Sequence, residues 1–367
     1  MRRSIQISTL LIMLLGLPLL GALVWGKPIG RFLELPPRTR YVVHAPFSWT
    51  AFNFLALFLL ILLSFFLVRI FLTLRHRAGS SPRSPGRFPW WGIAGVLFML
   101  GSWFLAWNRF SWMGTLQDHT FAPIWIGYIV TANALCVRRT GWSLLTHKTW
   151  RYLALFPLSA GFWWLFEYLN RFVQNWYYPV EGYSAWEYFW YATLPFSTVL
   201  PAVLATDRLV RSFSWPHRAF EDFVRFRVPR PRLFAAFILT AASAGLTLIG
   251  VFPDFLFPLL WISPLLMMVS LKTLFGEKNL FSPTTRCMWV HVITAATAAL
   301  ACGFLWEMWN AGSQNKWHYL IPYVHKFEIF EMPVLGYAGY LPFGLECVAA
   351  SEFMGLFKWE NLFENRS

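Results

Sequence analysis

The sequence predicts an all-α polytopic membrane protein, a transmembrane helix bundle of about ten spans. Hydrophobic residues make up 57% of the 367 residues, charged residues only 13%, and the mean hydropathy is +0.47. A helix needs about 20 predominantly apolar residues to cross the hydrocarbon core of a bilayer, and runs of roughly that length recur along the chain. The alternation of apolar and polar residues that marks transmembrane β-strands does not occur in the sequence, so helices are the expected elements.

Ten apolar segments are the candidate spans, and two polar stretches divide them into blocks. The spans are expected at residues 5–25, 48–74, 88–107, 120–137, 152–170, 186–206, 233–252, 255–271, 288–308 and 329–350. Residues 75–87 are rich in Arg, Ser, Pro and Gly, which is the composition of a linker. The expected order is an N-terminal two-helix unit with this basic linker (1–87), a first four-helix repeat (88–206), a basic cytoplasmic loop (207–232), a second four-helix repeat (233–350) and a cytoplasmic tail (351–367).

The distribution of basic residues predicts how the bundle is oriented. With the N-terminus in the cytoplasm, the segments on the cytoplasmic side hold 22 of the 31 Lys and Arg residues, and those on the outer side hold eight. This asymmetry follows the positive-inside rule, so we expect a multi-pass protein of a bacterial-type inner membrane with both termini in the cytoplasm. The net charge of +14 then reflects topology and contacts of the basic loops with anionic lipid headgroups. Nucleic acid is not an expected partner.

A polar motif occurs twice, 140 residues apart, at the end of an apolar segment each time. The first copy contains Glu167, Asn170, Gln174, Asn175, Trp176 and Tyr178. The second copy contains Glu307, Asn310, Gln314, Asn315, Trp317 and Tyr319. The motif predicts a tandem duplicated four-helix unit with parallel repeats, as in one class of transporters. Polar side chains are costly beside lipid, so these residues either link helices or form a site.

The two glutamates of the motif differ in their local neighbours. Residues three and four apart share a face of a helix, so Glu167 is expected to pair with Arg171, and that ion pair is a sufficient structural account of it. Glu307 has Ala311 at the equivalent place and needs a partner from another helix, a proton or water. The sequence therefore favours the second copy as the functional one.

Histidines and acids lie close to the second copy in the sequence. His318 is inside the motif, and His325, Glu328 and Glu331 follow it at intervals of three. If the last span begins there as a helix, these three side chains share one side of it. Histidine and carboxylates at helical spacing suit general acid–base catalysis or a divalent metal. Equally, the two acids are explained as first-turn residues that a helix N-terminus stabilises.

The order of an acid, an asparagine, a Trp-x-Tyr sequence and a further acid before Pro-Phe, present twice, resembles the small membrane lycopene-cyclase type of carotenoid enzyme. The resemblance implies membrane-facing carboxylates that protonate a polyene. The chain departs from that family because the paired Pro-Glu-Glu signature is replaced by Glu331-Met332-Pro333 and by Trp186-Glu187-Tyr188. The likeness covers about a quarter of the chain.

The leading hypothesis is a protein that binds or modifies an amphiphilic ligand, such as a lipid, an isoprenoid or a lipid-linked sugar, at a polar site near the outer leaflet. The candidate catalytic residues are Glu307, Glu331 and His318. The candidate ligand-binding residues are Asn310, Gln314, Asn315, Trp317, Glu167, Asn170 and Gln174. Candidate metal ligands are His325, Glu328 and Glu331, and no motif identifies a cofactor.

Two alternatives stay open at this level. The first is a transporter with a pseudo-symmetric site between the repeats, in which Glu167 and Glu307 are paired coupling groups. The second is a structural subunit of a membrane complex, in which the repeated Asn and Gln side chains link helices and other subunits are the partners. The sequence does not decide whether the chain is an enzyme.

Overall fold

Helices form almost all of the regular structure. The computed structural model describes residues 2–75, 86–179, 182–224, 228–282 and 288–357. The α-helices, in chain order, are α1 (Arg2–Val24), α2 (Trp49–Arg75), α3 (Trp90–Trp107), α4 (Phe121–Thr140), α5 (Leu144–His147), α6 (Thr149–Leu153), α7 (Leu155–Val173), α8 (Ala185–Phe196), α9 (Val199–Arg211), α10 (Ser214–Phe220), α11 (Pro231–Leu248), α12 (Pro253–Leu256), α13 (Pro258–Leu274), α14 (Met288–Gly312) and α15 (Tyr340–Phe353).

Short elements connect these helices. Three 3-10 helices lie at Ile29–Phe32, Ser111–His119 and Val334–Gly339. The strands of the described residues are β1 (Trp176–Tyr177), β2 (His318–Tyr319), β3 (Glu328–Ile329) and β4 (Met332–Pro333). β1 pairs antiparallel with β2, and β3 pairs antiparallel with β4. The prediction of an all-α fold is therefore confirmed, with strands confined to two short pairs.

Seven helical segments in the described part of the chain are long and apolar enough to cross a membrane. They are α1, α2, α3, α4, the α8–α9 pair taken together, α11 and α14. α13 is apolar but has only 17 residues. α7 has 19 residues, yet its second half carries Glu167, Asn170 and Arg171, which lower its hydropathy. The length and composition of these helices indicate a multi-pass membrane protein, whereas ten spans are not confirmed.

The segment expected as the tenth span, 329–350, is not a single helix. It begins with the β3–β4 hairpin, continues through the 3-10 helix, and becomes α-helical only at Tyr340. Phe327 and Phe330 adopt positive φ angles of 55° and 57°, which exclude a regular helix at those positions. Pro333 follows within strand β4. The helical spacing assumed for His325, Glu328 and Glu331 is therefore wrong.

The core lies where α14 packs against α9 and α15, while α13 packs against α11 and α15. Gly344 of α15 allows this close approach, because a Cβ atom there would overlap the carbonyl oxygen of Ala295 in α14. α1 packs against α11, α13 and α7. α2 packs against α10 but has no buried residue, which is typical of a helix whose apolar surface faces lipid or another protein.

The expected basic loop at 207–232 begins inside α9 and contains α10. Arg208 and Arg211 are buried there, and the Nε atom of Arg211 lies 2.6 Å from the Oδ2 atom of Asp207. Part of this stretch is thus packed inside the protein. Residues 76–85 of the predicted linker, residues 225–227 of the predicted loop and residues 358–367 of the predicted tail lie outside the described residues.

Candidate functional site

In both motif copies an asparagine side chain binds the backbone of the segment that follows the helix. α7 ends at Val173, and the side chain of Asn170 then binds the next turn: its Nδ2 atom donates to the carbonyl of Trp176 at 2.8 Å, and its Oδ1 atom accepts from the backbone N–H of Trp176 at 3.4 Å. Asn310, near the end of α14, donates to the carbonyl of Trp317 and accepts from its N–H, both at 2.9 Å. Each asparagine therefore folds the chain back and fixes a tryptophan against its own helix.

The chain segments after the two helices pair with each other. Trp176 lies opposite Tyr319 and Tyr177 lies opposite His318 in the β1–β2 pair. The backbone N–H of Leu320 also donates to the carbonyl of Asn175 at 2.7 Å. The C-terminal ends of α7 and α14 thus lie at the same end of the bundle, which we call the motif end. The pairing brings together residues that are 140 positions apart in the sequence.

Glu167 lies behind the aromatic residues of the first copy. Its Oε1 atom accepts three hydrogen bonds, from the indole N–H of Trp163 at 3.1 Å, the indole N–H of Trp176 at 3.0 Å and the hydroxyl of Tyr178 at 2.9 Å. Its residue is only 6% exposed. One carboxylate oxygen therefore fixes the orientation of three aromatic side chains.

The expected ion pair of Glu167 with Arg171 is wrong as an account of this glutamate. Arg171 points toward the segment that precedes α2, where its Nη2 atom lies 3.3 Å from the Oε2 atom of Glu34 and 2.8 Å from the carbonyl oxygen of Arg31. The helical spacing allowed the local pair, but contacts with a distant segment of the chain determine the orientation of the arginine. Aromatic donors satisfy Glu167 instead.

Glu307 takes the same position behind the second copy and is completely buried. Its Oε1 atom accepts from the hydroxyl groups of Tyr319 at 2.7 Å and Tyr340 at 2.6 Å. The indole N–H of Trp317 donates to the Tyr319 hydroxyl at 2.8 Å, so it is linked to the same carboxylate. The Oε2 atom is buried without a hydrogen-bond partner in the described part of the chain. The partner that the sequence argument required is thus a pair of tyrosines.

A cavity of about 140 Å³ lies between the two motif copies. Most of its wall is aromatic, and it includes the side chains that the two glutamates hold, namely Trp163, Trp176, Tyr178, Trp317, Tyr319 and Tyr340. A polar part of the wall is formed by Gln117, Asp118, Asn310, Gln314 and Asn315. Neither glutamate is itself a lining residue. The site therefore combines rings held rigidly from behind with amide and carboxyl groups.

The predicted ligand-binding residues separate into two groups. Asn310, Gln314, Asn315 and Trp317 line the cavity, whereas Glu167, Asn170 and Gln174 do not. Gln174 has a left-handed conformation with a φ of 51°, so the polar stripe expected for a continuous helix ends before it. Its side chain binds the backbone of residues 39–42, accepting from Tyr41 at 2.8 Å and Val42 at 2.9 Å and donating to Thr39 at 2.9 Å.

Two of the predicted catalytic residues lie in a separate, partly exposed ion cluster. Glu331 lies 2.5 Å from the Nζ atom of Lys316 and 3.1 Å from the Nδ1 atom of His318. Partial burial acts to raise the pKa of Glu331, but the hydrogen bond and charge of Lys316, with those of His318, outweigh it and hold the pKa below its usual value. Neither Glu331 nor His318 lines the cavity.

The predicted metal ligands do not converge. His325 lies 3.1 Å from Glu328, whereas Glu331 belongs to the separate cluster with Lys316 and His318. Across the described ranges of the chain, no group of three or more His, Cys, Asp and Glu side chains is arranged to hold a metal ion.

Several residues of the cavity were not singled out in the sequence. Gln117 and Asp118 belong to the 3-10 helix Ser111–His119, and the polar run between two apolar spans was the available signal. Trp163 precedes Glu167 by four residues, and this helical spacing was the available signal for it. Tyr340 had no such signal, because it reaches Glu307 from α15. No protein-family model, curated protein or solved structure matches the chain, so the site is interpreted from its own geometry.

Proposed function

We propose that this chain is a membrane protein that binds an amphiphilic molecule at the motif end, in the cavity between the two copies. The observation that carries the proposal is the composition of the wall: aromatic side chains cover most of it, and Asn310, Gln314 and Asn315 supply polar groups at one part. Binding sites for small molecules typically pair apolar and aromatic walls with a few placed polar groups. Lipids, isoprenoids and lipid-linked sugars are molecules that present both kinds of surface.

The proposed place of the cavity is the outer leaflet of a bacterial-type inner membrane. The excess of Lys and Arg in the segments assigned to the cytoplasm supports this orientation. The duplicated four-helix unit belongs to the same proposal, and the equivalent hydrogen bonds of Asn170 and Asn310 support it. A molecule could then enter from the lipid phase and place its polar part toward the water side.

Glu167 and Glu307 act in this proposal as positioning residues and not as catalytic ones. Each reaches the cavity only through the aromatic side chains that donate hydrogen bonds to it. Asp118 is the one carboxylate among the described lining residues. The arrangement therefore supports binding more directly than acid–base chemistry by Glu307, Glu331 or His318.

The proposal is tested by filling the cavity. Ala192 of α8 lines it, whereas Ala185 at the start of the same helix is exposed and does not, so Ala185→Trp is a matched control for Ala192→Trp. Gln314→Trp is a second filling variant, since Gln314 is exposed and its replacement disturbs little packing. The proteins are purified in mild detergent, extracted with organic solvent, and the co-purified amphiphiles are quantified by mass spectrometry.

Wild type and Ala185→Trp are expected to retain a defined amphiphile, and both filling variants are expected to retain at least tenfold less. Thermal unfolding in detergent establishes that each variant is folded. The proposal fails if folded filling variants keep the same amphiphiles at the same level as wild type.

A further inference from the structure

We infer that the part of the ligand that enters the cavity is a cation, an ammonium group attached to an apolar chain. This inference rests on the proposed function and specifies the ligand class of that same site. Three features support it: acceptors in the wall that have no partner among the described residues, the absence of basic residues among the described lining residues, and the aromatic faces.

Two acceptor atoms of the wall have no hydrogen-bond partner among the described residues. The Nε2 atom of Gln117 donates to the carbonyls of Leu105 at 3.0 Å and Ala106 at 3.1 Å. That orientation leaves its buried Oε1 atom without a hydrogen bond, although the residue is only 4% exposed. The buried Oδ1 atom of Asp118, the next residue, is also unpartnered. Buried acceptors without donors are unfavourable, so a ligand that donates hydrogen bonds, and above all one with positive charge, is favoured here.

Many of the side-chain donors of the wall are already used within the protein. The indole and hydroxyl groups of Trp163, Trp176, Tyr178 and Tyr319 donate to the buried glutamates. Other donors of the wall are bound as follows: Thr120 to the Gln117 carbonyl, Asn310 to the Trp317 carbonyl, Ser313 to the Trp309 carbonyl, and Asn315 to the Tyr183 hydroxyl. The buried hydroxyl of Tyr188 has no hydrogen-bond partner among the described residues, so the wall keeps a donor as well, and the preference for a cation rests on the acceptors, the charge of the wall and the aromatic faces.

No Lys, Arg or His belongs to the described residues that line the cavity, although the chain carries a net charge of +14. Arg109 is a neighbour, since it shares the carbonyl of Ala106 with Gln117. Its guanidinium is bound to that carbonyl and to the carbonyl of Gly312 at 2.8 Å. The positive charge of this protein is thus kept out of the cavity wall, and Asp118 gives the wall a negative charge.

The aromatic wall adds to the preference for a cation. Hydrogen bonds hold the polar edges of Trp163, Trp176 and Tyr178 toward Glu167, so ring carbons and not N–H or O–H groups remain for the ligand. The faces of such rings carry negative partial charge and attract ammonium groups. The volume of about 140 Å³ is close to that of a cavity of roughly 150 Å³ that accepts benzene. It therefore accepts one small group, such as trimethylammonium, while the apolar chain lies outside.

The experiment compares head groups on one short chain. Octyltrimethylammonium, octyl phosphate and octyl glucoside are titrated calorimetrically into the protein in phosphatidylglycerol nanodiscs, which contain no ammonium lipid; empty nanodiscs give the background. Octylphosphocholine is a fourth probe, which tells a phospholipid-type headgroup from a simple amine. The variants are Asp118→Asn, the distant exposed control Asp222→Asn, Arg109→Gln and Gln314→Trp.

Octyltrimethylammonium is expected to bind at least tenfold more tightly than octyl phosphate and octyl glucoside. Asp118→Asn is expected to weaken the binding of octyltrimethylammonium about tenfold, and Asp222→Asn is expected to leave this binding unchanged. The inference is overturned if octyl phosphate binds as tightly as octyltrimethylammonium or more tightly, and if Arg109→Gln abolishes this binding. It is also overturned if Asp118→Asn has the same affinity for octyltrimethylammonium as wild type. If wild type binds all probes with similar affinity and Gln314→Trp abolishes their binding, only this inference fails. If Gln314→Trp does not reduce the binding of any probe, the proposed function fails as well.

Discussion

In the two copies of the motif the asparagines have the same structural role, whereas the glutamines have different roles. Asn170 and Asn310 each bind both backbone groups of a tryptophan. Gln174 is buried and fastens residues 39–42, whereas Gln314 is exposed and lines the cavity. The glutamine of the first copy thus anchors an N-terminal segment, whereas the glutamine of the second copy faces the site.

The glutamates differ in the number of aromatic donors that they bind, and not in the presence of an ion pair, which their helical neighbours suggested. Glu167 accepts three hydrogen bonds from aromatic side chains, and Glu307 accepts two and keeps one buried oxygen unpartnered. Both therefore serve the aromatic wall, and the difference between them is the number of rings held. Each of the following changes tests one part of this comparison.

The largest effect is expected from replacing the glutamates with leucine. Each buried donor left without an acceptor costs about 1–3 kcal/mol, so Glu167→Leu, which leaves three, should destabilise the protein more than Glu307→Leu, which leaves two. Unfolding in detergent with a chemical denaturant measures both. Glu167→Gln and Glu307→Gln keep an acceptor and are expected to recover most of the stability and of the ligand retention. An equal or reversed order of the leucine variants contradicts this assignment.

A somewhat smaller effect is expected at the two asparagines. Asn170→Leu and Asn310→Leu each remove the partners of the backbone N–H and carbonyl of a tryptophan, so a loss of about 2–4 kcal/mol is expected for each. Asn170 also accepts from the backbone N–H of Asn175 at 2.8 Å, so its loss should lie toward the upper end of that range. Asn53→Leu, at an exposed position of α2, is the control and is expected to change stability by less than about 0.5 kcal/mol. Denaturation in detergent is again the measurement. A large difference between the losses of stability in Asn170→Leu and Asn310→Leu refutes the equivalence of the two asparagines.

The glutamines should separate stability from binding. Gln174→Ala removes three hydrogen bonds to the backbone of residues 39–42, so a loss of about 1–3 kcal/mol is expected. Gln314→Ala removes an exposed side chain, and its stability should stay within about 0.5 kcal/mol of wild type while amphiphile retention falls. Thermal unfolding and lipid analysis of the same preparations test this. Equal destabilisation by both variants would remove the distinction between the copies.

The smallest effect is expected in the ion cluster beside the second copy. Glu331 has a lowered pKa in the folded protein, so its pairing stabilises the fold above the ordinary glutamate pKa and is lost as the pH falls through the lowered value. Glu331→Gln should therefore destabilise by less than about 1 kcal/mol near neutral pH, because the cluster is partly exposed. The free energies of unfolding of wild type and Glu331→Gln, measured as a function of pH, should become equal in acid. A difference that grows in acid contradicts the pairing.

The sequence predicted the helices better than it predicted their ends. The seven helical segments of the described chain that are long and apolar enough to span a membrane follow from apolar composition, since length and hydropathy are local properties. The failure at residues 329–350 has a local reason as well: Phe330 has a positive φ and Pro333 lies in a strand, although the composition is apolar. Apolar content alone does not tell a continuous helix from a hairpin followed by a shorter helix.

The candidate site was predicted in part. The motif singled out Asn310, Gln314, Asn315 and Trp317, which line the cavity, because a repeated polar sequence is unusual in an apolar chain. Tyr340 and Asp118 come from other elements, and no spacing rule connects them with the motif. The side-chain partner of Arg171 is likewise in a distant segment, at Glu34. Contacts of this kind depend on the packing of helices, which a single sequence does not specify.

The central claim is that both motif copies form one cavity that holds an amphiphile. The most direct measurement is electron cryo-microscopy of wild type and Gln314→Trp in lipid nanodiscs, at a resolution that shows side chains. The wild-type map is expected to contain non-protein density in contact with Trp176 of the first copy and Trp317 of the second, and the variant map is expected to lack it. An empty cavity in the wild type, or the same density in both maps, would contradict the account.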